Sequence, residues 1–185
     1  MTTEPKLVEL VEPDGTSVGQ STVDDAHAPP GKLHRAFSVL LFDENGRTLL
    51  QQRSPSKSRF PSRWANTCCG HPAPGEDVVT AATRRLASET GIQVTGLAEV
   101  GVYTYRAEDS VTGSVECEYD HVVVGRWPQN AEIAPDPAEV AALRWASAAE
   151  LATAFGTVDG DQQYAPWFLG VLKVALGSGL PPDLG

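Results

Sequence analysis

Residues Asn66 to Ile92 read N-T-C-C-G-H-P-A-P-G-E-D-V-V-T-A-A-T-R-R-L-A-S-E-T-G-I. A Cys-Cys-Gly-His cluster opens the stretch, and proline and glycine residues then break regular structure. Beyond this turn, apolar residues recur at four-residue spacing, at Val78, Ala82 and Leu86. That spacing predicts a helix with one buried face, and Gly91 is typical of the position just after a helix.

Alternating apolar residues and turn signals predict the remaining elements. Strands are expected at residues 7–11, from residue 18, and at residues 33–42, 48–52, 97–106, 115–124 and 140–145. A capping box predicts a helix that begins after Ser147, and a closing helix is expected over residues 167–176. Residues 21–31, 53–63, 130–137 and 156–161 are expected to be irregular. Strands interleaved with few helices indicate one α/β sandwich domain over residues 1–185.

The charged residues of the central stretch resemble the Nudix box. The matching positions are Gly70, Glu76, Arg84, Leu86, Glu89, Gly91 and Ile92, with five residues between the first two and seven between the next two. Two positions depart from the box, because Arg85 and Ser88 stand where it has glutamates. Nudix hydrolases use those carboxylates to hold the divalent ions that activate water. The departures therefore favour a diphosphate cradle over a hydrolase site.

With the sequence T-C-C-G-H-P upstream, the box resembles that of the type 1 isopentenyl-diphosphate isomerase family, over roughly residues 7–176. The resemblance implies a Nudix-type αβα sandwich (α+β), with residues 1–30 as an N-terminal extension that completes a metal site. It also implies interconversion of isopentenyl and dimethylallyl diphosphate by metal-assisted protonation and deprotonation, in isoprenoid biosynthesis. The alternatives are a Nudix pyrophosphohydrolase and a non-catalytic metal-binding or phosphate-binding module.

The resemblance places metal ligands at His27, His34, His71, Glu116 and Glu118. Period-two alternation independently puts the two glutamates on one face of a predicted strand. Imidazole donors favour manganese, iron or zinc over magnesium. The family implies Mn²⁺ or Mg²⁺ in this site, and a second Mg²⁺ held by the substrate diphosphate and Glu89.

The isomerisation needs an acid on one side of the carbon skeleton, a base on the other, and stabilisation of a tertiary cation. Cys69 and Glu118 match the two catalytic positions of the family, and Tyr105 matches a tyrosine that assists the transfer. Trp167 matches a tryptophan that stabilises the cation, and Trp64 is a weaker candidate for the same wall. Nearby cations are expected to lower the thiol pKa, so that Cys69 exchanges its proton near neutrality.

Two further cysteines need separate interpretations. Cys68 is expected to pack in the core, because the Cys-Gly-His motif of the family selects Cys69 as the catalyst. Cys117 should point to the strand face opposite the two glutamates, into the core. An odd number of cysteines, two of them adjacent, does not suggest a disulfide framework, so free thiols in a reducing cytoplasm are expected.

The balance of charge points to a small anionic ligand. Fourteen basic against 24 acidic residues give a net charge of −10, which argues against nucleic acid or an anionic membrane as a partner. No apolar run approaches the roughly 18 residues of a membrane span. The N-terminus also lacks a signal-peptide pattern. We therefore expect a cytoplasmic protein, and we expect it to be a monomer.

Four cations nevertheless cluster in residues 53–63, at Arg53, Lys57, Arg59 and Arg63. The family resemblance assigns diphosphate binding to Arg53, Lys57 and Arg85. The family often has a further lysine shortly before the first histidine ligand, where this chain has Val-Asp-Asp. Lys32 and Arg59 are the two candidates to replace it.

Overall fold

The computed structural model describes residues 4–129, 131–155 and 163–177. Within them, the strands are β1 Leu7–Val11, β2 Ser17–Thr22, β3 His34–Phe42, β4 Thr48–Arg53, β5 Trp64–Ala65, β6 Cys68–Gly70, β7 Ala98–Glu108, β8 Val115–Arg126 and β9 Val140–Ala146. The helices are α1 Val23–His27, α2 Val78–Thr90, α3 Ala148–Ala154 and α4 Phe168–Gly177.

Strand β3 lies at the centre of one mixed sheet. It runs antiparallel to β1, β4 and β6, and parallel to β8 from the pair His34–Glu118 to the pair Phe42–Arg126. Strand β7 extends the sheet beyond β8, and β9 extends it beyond β4. The parallel register therefore sets a predicted ligand on β3 directly beside a predicted ligand on β8.

The two faces of β3 serve two different cores. Val39 and Leu41 pack with α2, while Leu40 and Phe42 pack with α4 on the other face. Side chains alternate along a strand, so these two pairs of residues lie on opposite faces of the sheet. A helix therefore covers each face, and the predicted αβα sandwich is confirmed. The even-numbered ligand positions of β3 and β8 share the face that is covered by α4.

Helix α2 forms as the central stretch predicts. The Asp77 carboxylate caps its N-terminus by accepting a hydrogen bond from the Thr80 N–H at 2.8 Å. Val78, Ala82 and Leu86 are buried against the sheet. Gly91 ends the helix in the left-handed conformation, with φ of 76°.

The segment that precedes the first histidine is more ordered than predicted. Residues 21–31 were expected to be irregular, but β2 continues to Thr22 and α1 follows directly, with the Thr22 hydroxyl accepting from the Asp25 N–H at 3.2 Å. The polar composition misled the prediction, because only one side of this single-turn helix is buried, at Val23, Ala26 and His27.

The other differences are small. Arg53 is the last residue of β4 and not part of the loop, and the short strands β5 and β6 were not predicted. The predicted loop at residues 156–161 lies outside the described residues. Among the described helices, none has the length and apolar content needed to cross a bilayer.

Candidate active site

Five buried side chains converge at the end of the sheet where β3 and β8 begin. One possible ligand atom from each lies within 4.8 Å of all the others, and the group consists of His27, His34, His71, Glu116 and Glu118. The structure thus brings together the complete set of residues that was predicted to bind the first metal. Their role as ligands stays a prediction.

The fold places each member for a local reason. His34 and Glu118 are neighbours in the parallel register of β3 and β8, and Glu116 lies two residues earlier on the same face. His71 directly follows β6, which pairs with β3. His27 is the last residue of α1, so the N-terminal region supplies the fifth side chain.

The imidazoles are oriented by hydrogen bonds on their outer nitrogens. The Nδ1 atoms of His27 and His34 lie 2.7 Å from the carbonyl oxygens of Val23 and Lys32, which can only accept. The Nδ1 atom of His71 lies 3.1 Å from a carboxylate oxygen of Glu4. Each Nδ1 therefore donates, and in the neutral rings each Nε2 presents a lone pair to the centre of the cluster.

This arrangement fits a divalent cation. The Nε2 atoms of His34 and His71 lie 3.2 Å apart, and two lone pairs at that distance repel unless a positive charge lies between them. The Oε1 atom of Glu118 faces the same centre, 3.2 Å from His71 Nε2 and 3.7 Å from His34 Nε2. Three imidazoles and two carboxylates suit Mn²⁺ and related ions, so the donor set fits the predicted metal.

Burial and mutual contact perturb the pKa values of these groups strongly. Burial tends to raise the pKa of Glu118, but His27 and His71, when they are protonated at Nε2 in the absence of a metal, donate hydrogen bonds that hold it well below its usual value. Burial and the nearby His71 lower the pKa of His34 to about 3. Burial opposes the charged form of His27, yet its contact with Glu116 at 2.8 Å raises its pKa to about 9.

Cys69 and Glu118 open into one shared cavity beside the cluster. The Tyr105 hydroxyl donates to Glu118 Oε2 at 2.6 Å, so one oxygen of this carboxylate faces the histidines and the other faces the tyrosine. The structure therefore brings together the three side chains that were predicted to transfer protons. Their common cavity has a volume of about 30 Å³, roughly the room for one water molecule.

The expectation of a lowered thiol pKa is wrong. Burial raises the pKa of Cys69 to about 12, although Arg53 acts in the opposite direction. The thiol lies beside an aromatic wall and donates to the amide oxygen of Asn66 at 3.2 Å. Desolvation of the thiolate outweighs the nearby cation, so the thiol keeps its proton at neutral pH.

Trp167 forms one wall of the cavity and is 2% exposed. Tyr105 stacks on its ring at 5.8 Å, and the ring of Phe60 meets it edge-on at 5.3 Å. Among the described residues, Trp64 does not line this cavity, and its ring instead packs beneath the guanidinium group of Arg144 at 5.0 Å. The weaker candidate for the wall is therefore wrong.

Phe60 reaches the wall through an unusual backbone conformation. Its φ is 44°, which is rare for a bulky residue. The Asp109 carboxylate accepts from the Phe60 N–H at 2.8 Å, and the Arg53 side chain donates to its carbonyl oxygen at 3.1 Å. Such strain is found preferentially where the surrounding structure fixes a residue for function.

Four cations line the cavity, at Arg53, Lys57, Arg59 and Arg85. Lys57 and Arg85 form ion pairs with the carboxylate of Glu139. Arg59 pairs instead with Glu4 at 3.0 Å and Glu116 at 3.2 Å, and its role in place of the missing family lysine stays a prediction. Lys32 points elsewhere, because it pairs with Asp25 on an exposed surface.

Glu89 lies beneath the cavity wall rather than in it. Its carboxylate pairs with Arg85 at 2.6 Å and contacts Gln51 and Cys68 at 3.5 Å. Among the described residues, it belongs neither to the cavity lining nor to the histidine cluster. The structure thus does not bring it to the first metal site, and its role toward a second Mg²⁺ stays a prediction.

All three cysteines are free thiols. Cys68 is fully buried and packs with the α2 core, as expected. Cys117 lies on the opposite strand face from the glutamates, where it pairs in register with Arg106. It is half-buried rather than a core residue, because this strand face is only partly covered.

Sequence reasoning missed several residues of the site. Glu4 lines the cavity and accepts from Arg59 at 3.0 Å. Asn66 contacts both Cys69 and Trp167, and Asp120 accepts from the hydroxyl of Ser38 at 2.8 Å. The strand alternation that placed the two glutamates could also have placed Asp120, two residues beyond Glu118. Glu4 and Asn66 carry no comparable signal.

Comparisons with known proteins agree with this geometry. The chain matches the NUDIX domain family over residues 32–168. A Nocardia farcinica (strain IFM 10152) protein named "Isopentenyl-diphosphate Delta-isomerase" is 55% identical over 168 residues, which cover 91% of this chain and 93% of that protein. A Streptomyces coelicolor protein of the same name is 46% identical over 174 residues, which cover 94% of this chain and 85% of that protein.

Solved structures support the fold. The crystal structure of DR0079 from Deinococcus radiodurans superposes with a TM-score of 0.71 at 19% identity, and the match covers 91% of this chain and 98% of that chain. At that identity the likeness concerns the fold alone, whereas the two bacterial relatives match over most of both sequences. The chain therefore belongs to the isopentenyl-diphosphate Delta-isomerase family of NUDIX-domain proteins.

Proposed function

We propose that this chain interconverts isopentenyl diphosphate and dimethylallyl diphosphate, a step of isoprenoid biosynthesis. The observation that carries the proposal is the shared cavity of Cys69 and Glu118, with an aromatic wall and four cations around it. An alkene isomerisation needs two proton-transfer groups, a surface that tolerates a carbocation, and an anchor for the diphosphate. The relatives named as isomerases support the same reaction.

The three histidines with Glu116 and Glu118 would hold the divalent cation. When bound, that ion supplies positive charge that orients the carboxylates and stabilises the anionic form of Glu118. We infer Mn²⁺ or Mg²⁺ from the donor set and the family. A second Mg²⁺ that joins the diphosphate to Glu89 is part of the same proposal.

The protein groups then divide the proton transfer between them. The Cys69 thiol gives its proton to the terminal alkene carbon, which leaves a tertiary cation at the branched carbon. The Glu118 carboxylate takes a proton from the adjacent methylene carbon, and the new double bond forms there. We assign the directions in this way because the thiol is protonated at neutral pH and a cation bound beside Glu118 would keep that carboxylate ionised. The reverse reaction exchanges the two roles, and between turnovers Glu118 gives a proton to solvent and the Cys69 thiolate takes one from it.

The aromatic wall and the cations complete the site. The face of Trp167 and the stacked ring of Tyr105 would stabilise the cationic carbon, a contact worth about 2 kcal/mol when desolvated. Arg53, Lys57 and Arg85 would bind the diphosphate, and Arg59 would add the charge that the missing lysine supplies elsewhere in the family. Arginine offers paired hydrogen bonds to phosphoryl oxygens.

A pyrophosphohydrolase is the alternative. It would need carboxylates at residues 85 and 88 to hold the ions that activate water, and this chain has Arg85 and Ser88 there. The guanidinium group of Arg85, which pairs with Glu89 and Glu139, puts a positive charge where the hydrolase would have a further carboxylate.

One assay separates the two reactions. The protein is incubated with isopentenyl diphosphate and Mn²⁺, and both the dimethylallyl isomer and released phosphate are measured. We expect the isomer without phosphate from the wild type, and no turnover from Cys69→Ala or Glu118→Gln. Cys117→Ala is the matched control, since its thiol lies on the opposite face of β8, and it should keep the wild-type rate.

Release of phosphate without formation of the dimethylallyl isomer would contradict the proposal. If either active-site variant kept a near-normal rate, the role of that residue would be wrong. Circular dichroism of each variant checks that the loss of turnover is not a loss of folding. The expected monomer in the cytoplasm is also a proposal, and the molar mass in solution tests its first part.

A further inference from the structure

The buried amide of Asn66 joins two residues that are about a hundred positions apart in the chain. Asn66 lies between β5 and β6 and is 0% exposed. Its Oδ1 atom accepts from the Cys69 thiol at 3.2 Å and from the indole Nε1 of Trp167 at 3.1 Å. One oxygen atom therefore contacts both Cys69, the proposed acid, and Trp167, the ring that is proposed to stabilise the cationic carbon.

The orientation of this amide is fixed by its surroundings. Its Nδ2 atom donates to the carbonyl oxygen of Cys68 at 2.7 Å and to that of Val39 at 3.3 Å. Carbonyl oxygens only accept, so the NH₂ group must face them and the oxygen must face the thiol and the indole. The side chain thus uses all of its donors and accepts two hydrogen bonds in one conformation.

Each contact restrains a degree of freedom that matters to the reaction. The indole N–H bond sets the rotation of the Trp167 ring, and that rotation decides which part of its face lines the cavity. The thiol contact sets the side-chain torsion of Cys69, which would otherwise have three staggered positions. Ser38, at 3.8 Å from the sulfur, gives the thiol a second and much looser neighbour.

We propose that Asn66 is a positioning residue for the isomerisation, whose amide oxygen holds the Cys69 sulfur and the Trp167 ring in one fixed relation. This inference rests on the proposed function. It predicts that Asn66 acts on turnover through those two side chains, and does not touch the diphosphate. Small misplacement of reacting groups, on the order of 1 Å, costs about 100-fold in rate.

The first test compares Asn66→Ala with Thr67→Val. Thr67 is equally buried, and within the described part of the chain its hydroxyl bonds only to the backbone of Leu41 and Leu49. Both variants lose buried hydrogen bonds and should lose stability. Only Asn66→Ala should lose kcat, by about 10-fold to 100-fold, with KM within about threefold of the wild type because the diphosphate contacts are unchanged.

A double-mutant cycle tests the path of the effect. Trp167→Phe keeps an aromatic ring but removes the N–H donor. If Asn66 acts through the indole, the double variant should lose clearly less kcat than the product of the two single losses. Purely multiplicative losses, or an Asn66→Ala enzyme with wild-type kcat, would overturn the proposal. An equal loss of kcat in Thr67→Val would also overturn the proposal.

A readout without turnover separates this inference from the proposed function. The rate of Cys69 alkylation by iodoacetamide at fixed pH should change at least about fivefold in Asn66→Ala and less than twofold in Thr67→Val, since only the first releases the thiol. A wild-type protein without isomerase activity would contradict the function, whereas an unchanged alkylation rate would contradict the inference. If Asn66→Ala does not fold, Asn66→Thr gives the same measurements with a smaller change in volume.

Discussion

The reactivity of Cys69 is set by desolvation more than by the cations around it. Its pKa is raised to about 12 by burial, even though Arg53 lies close enough to oppose the shift. The ordinary value for this comparison is 9.0, so the thiolate fraction at pH 7 is lower by roughly a thousandfold. A thiol of this kind is a weak acid that keeps its proton at neutral pH and resists ionisation.

Alkylation as a function of pH tests this property. Because only the thiolate reacts with iodoacetamide, the rate at Cys69 should rise about tenfold per pH unit from pH 7 to pH 10, with no plateau near pH 8.5. Mass spectrometry of the Cys69 peptide follows the reaction, and a small free thiol provides the control that does level off. A plateau at Cys69 below pH 9 would show that the cations prevail over burial.

Tyr105 offers a second prediction for a single side chain. Tyr105→Phe removes the hydrogen bond to Glu118 Oε2 but keeps the ring that stacks on Trp167. A hydrogen bond to a charged group contributes about 1.5–3 kcal/mol, so kcat should fall about 10-fold to 100-fold. Tyr103→Phe is the control, since Tyr103 contributes its ring to the same stack, and its kcat should be unchanged. Equal rates for the two variants would leave the Tyr105 hydroxyl without a role.

Helix α2 reaches the site from the face of the sheet opposite the metal cluster. It carries Arg85 to the cavity and holds Glu89 beneath it. Its C-terminus is fixed by Gly91, where an added Cβ would lie 2.8 Å from the backbone nitrogen of Ala134. The end of the helix is therefore packed against another part of the chain as well as capped.

Two glycine substitutions distinguish packing from backbone strain at this helix end. Gly113 has φ of 77°, with nothing within 4 Å of an added Cβ, so Gly113→Ala should cost only the left-handed conformation, about 1–2 kcal/mol. Gly91→Ala has the same strain and a clash with backbone, which adds about 1–3 kcal/mol. Urea unfolding measures both, and equal free energies of unfolding would contradict the packing argument.

At the scale of the whole molecule, the site depends on regions that are far apart in the chain. The ligands come from α1, β3, the end of β6 and β8, and the aromatic wall comes from the residue before α4. A bound cation would therefore tie together most of the fold. Ligands that bind only the folded state stabilise it, by about 2.7 kcal/mol at a concentration 100 times Kd.

Metal addition and removal should thus change the melting temperature. For a chain of this size, each kcal/mol corresponds to about 2–4 °C, so saturating Mn²⁺ should raise Tm by roughly 5–10 °C over the protein treated with a chelator. His27→Ala should lose most of this increase. His121→Ala is the control, because that histidine pairs with Glu99 outside the cluster. A similar increase in both variants would argue against the predicted ligand set.

Glu4 closes the cavity from the N-terminal side. Although burial opposes ionisation, contacts with His71 and Arg59 hold the pKa of its carboxyl well below the usual value, so it is an anion. A diphosphate that binds Arg59 would compete with this carboxylate and be repelled by its charge. Glu4→Gln should therefore lower KM severalfold with little change in kcat, and Glu12→Gln, on an exposed turn, should change neither. A raised KM for Glu4→Gln would mean that the carboxylate assists binding.

The sequence predicts those parts of the molecule whose signals are local. The four-residue spacing and the terminal Gly91 predict α2, and strand alternation places Glu116 and Glu118 on one face. The choice of Cys69 over Cys68, and the grouping of three distant histidines, come from the family motif and not from spacing. The structure adds the register of β3 against β8, which explains why His34 and Glu118 are neighbours.

Other features depend on contacts that no local pattern encodes. Helix α1 forms in a segment whose polar composition suggests a loop, because its few apolar residues pack against other residues of the folded chain. The pKa of Cys69 depends on which residues bury the thiol. The contacts of Asn66 depend on where the fold places Trp167. Trp64 has the right residue type for the aromatic wall, but the pairing of β5 with β4 turns it elsewhere.

The alternation of side chains along β3 makes chemistry and heat tolerance separable in this protein. Residues such as Val39 and Leu41 pack with α2, whereas His34 and Ser38 belong to the reactive side of the same strand. An engineer who seeks a more durable biocatalyst can thus repack the apolar residues between β3 and α2, provided that Arg85 and Glu89 on the same helix are kept. Laboratory selection for thermal resistance should accumulate its substitutions in that layer.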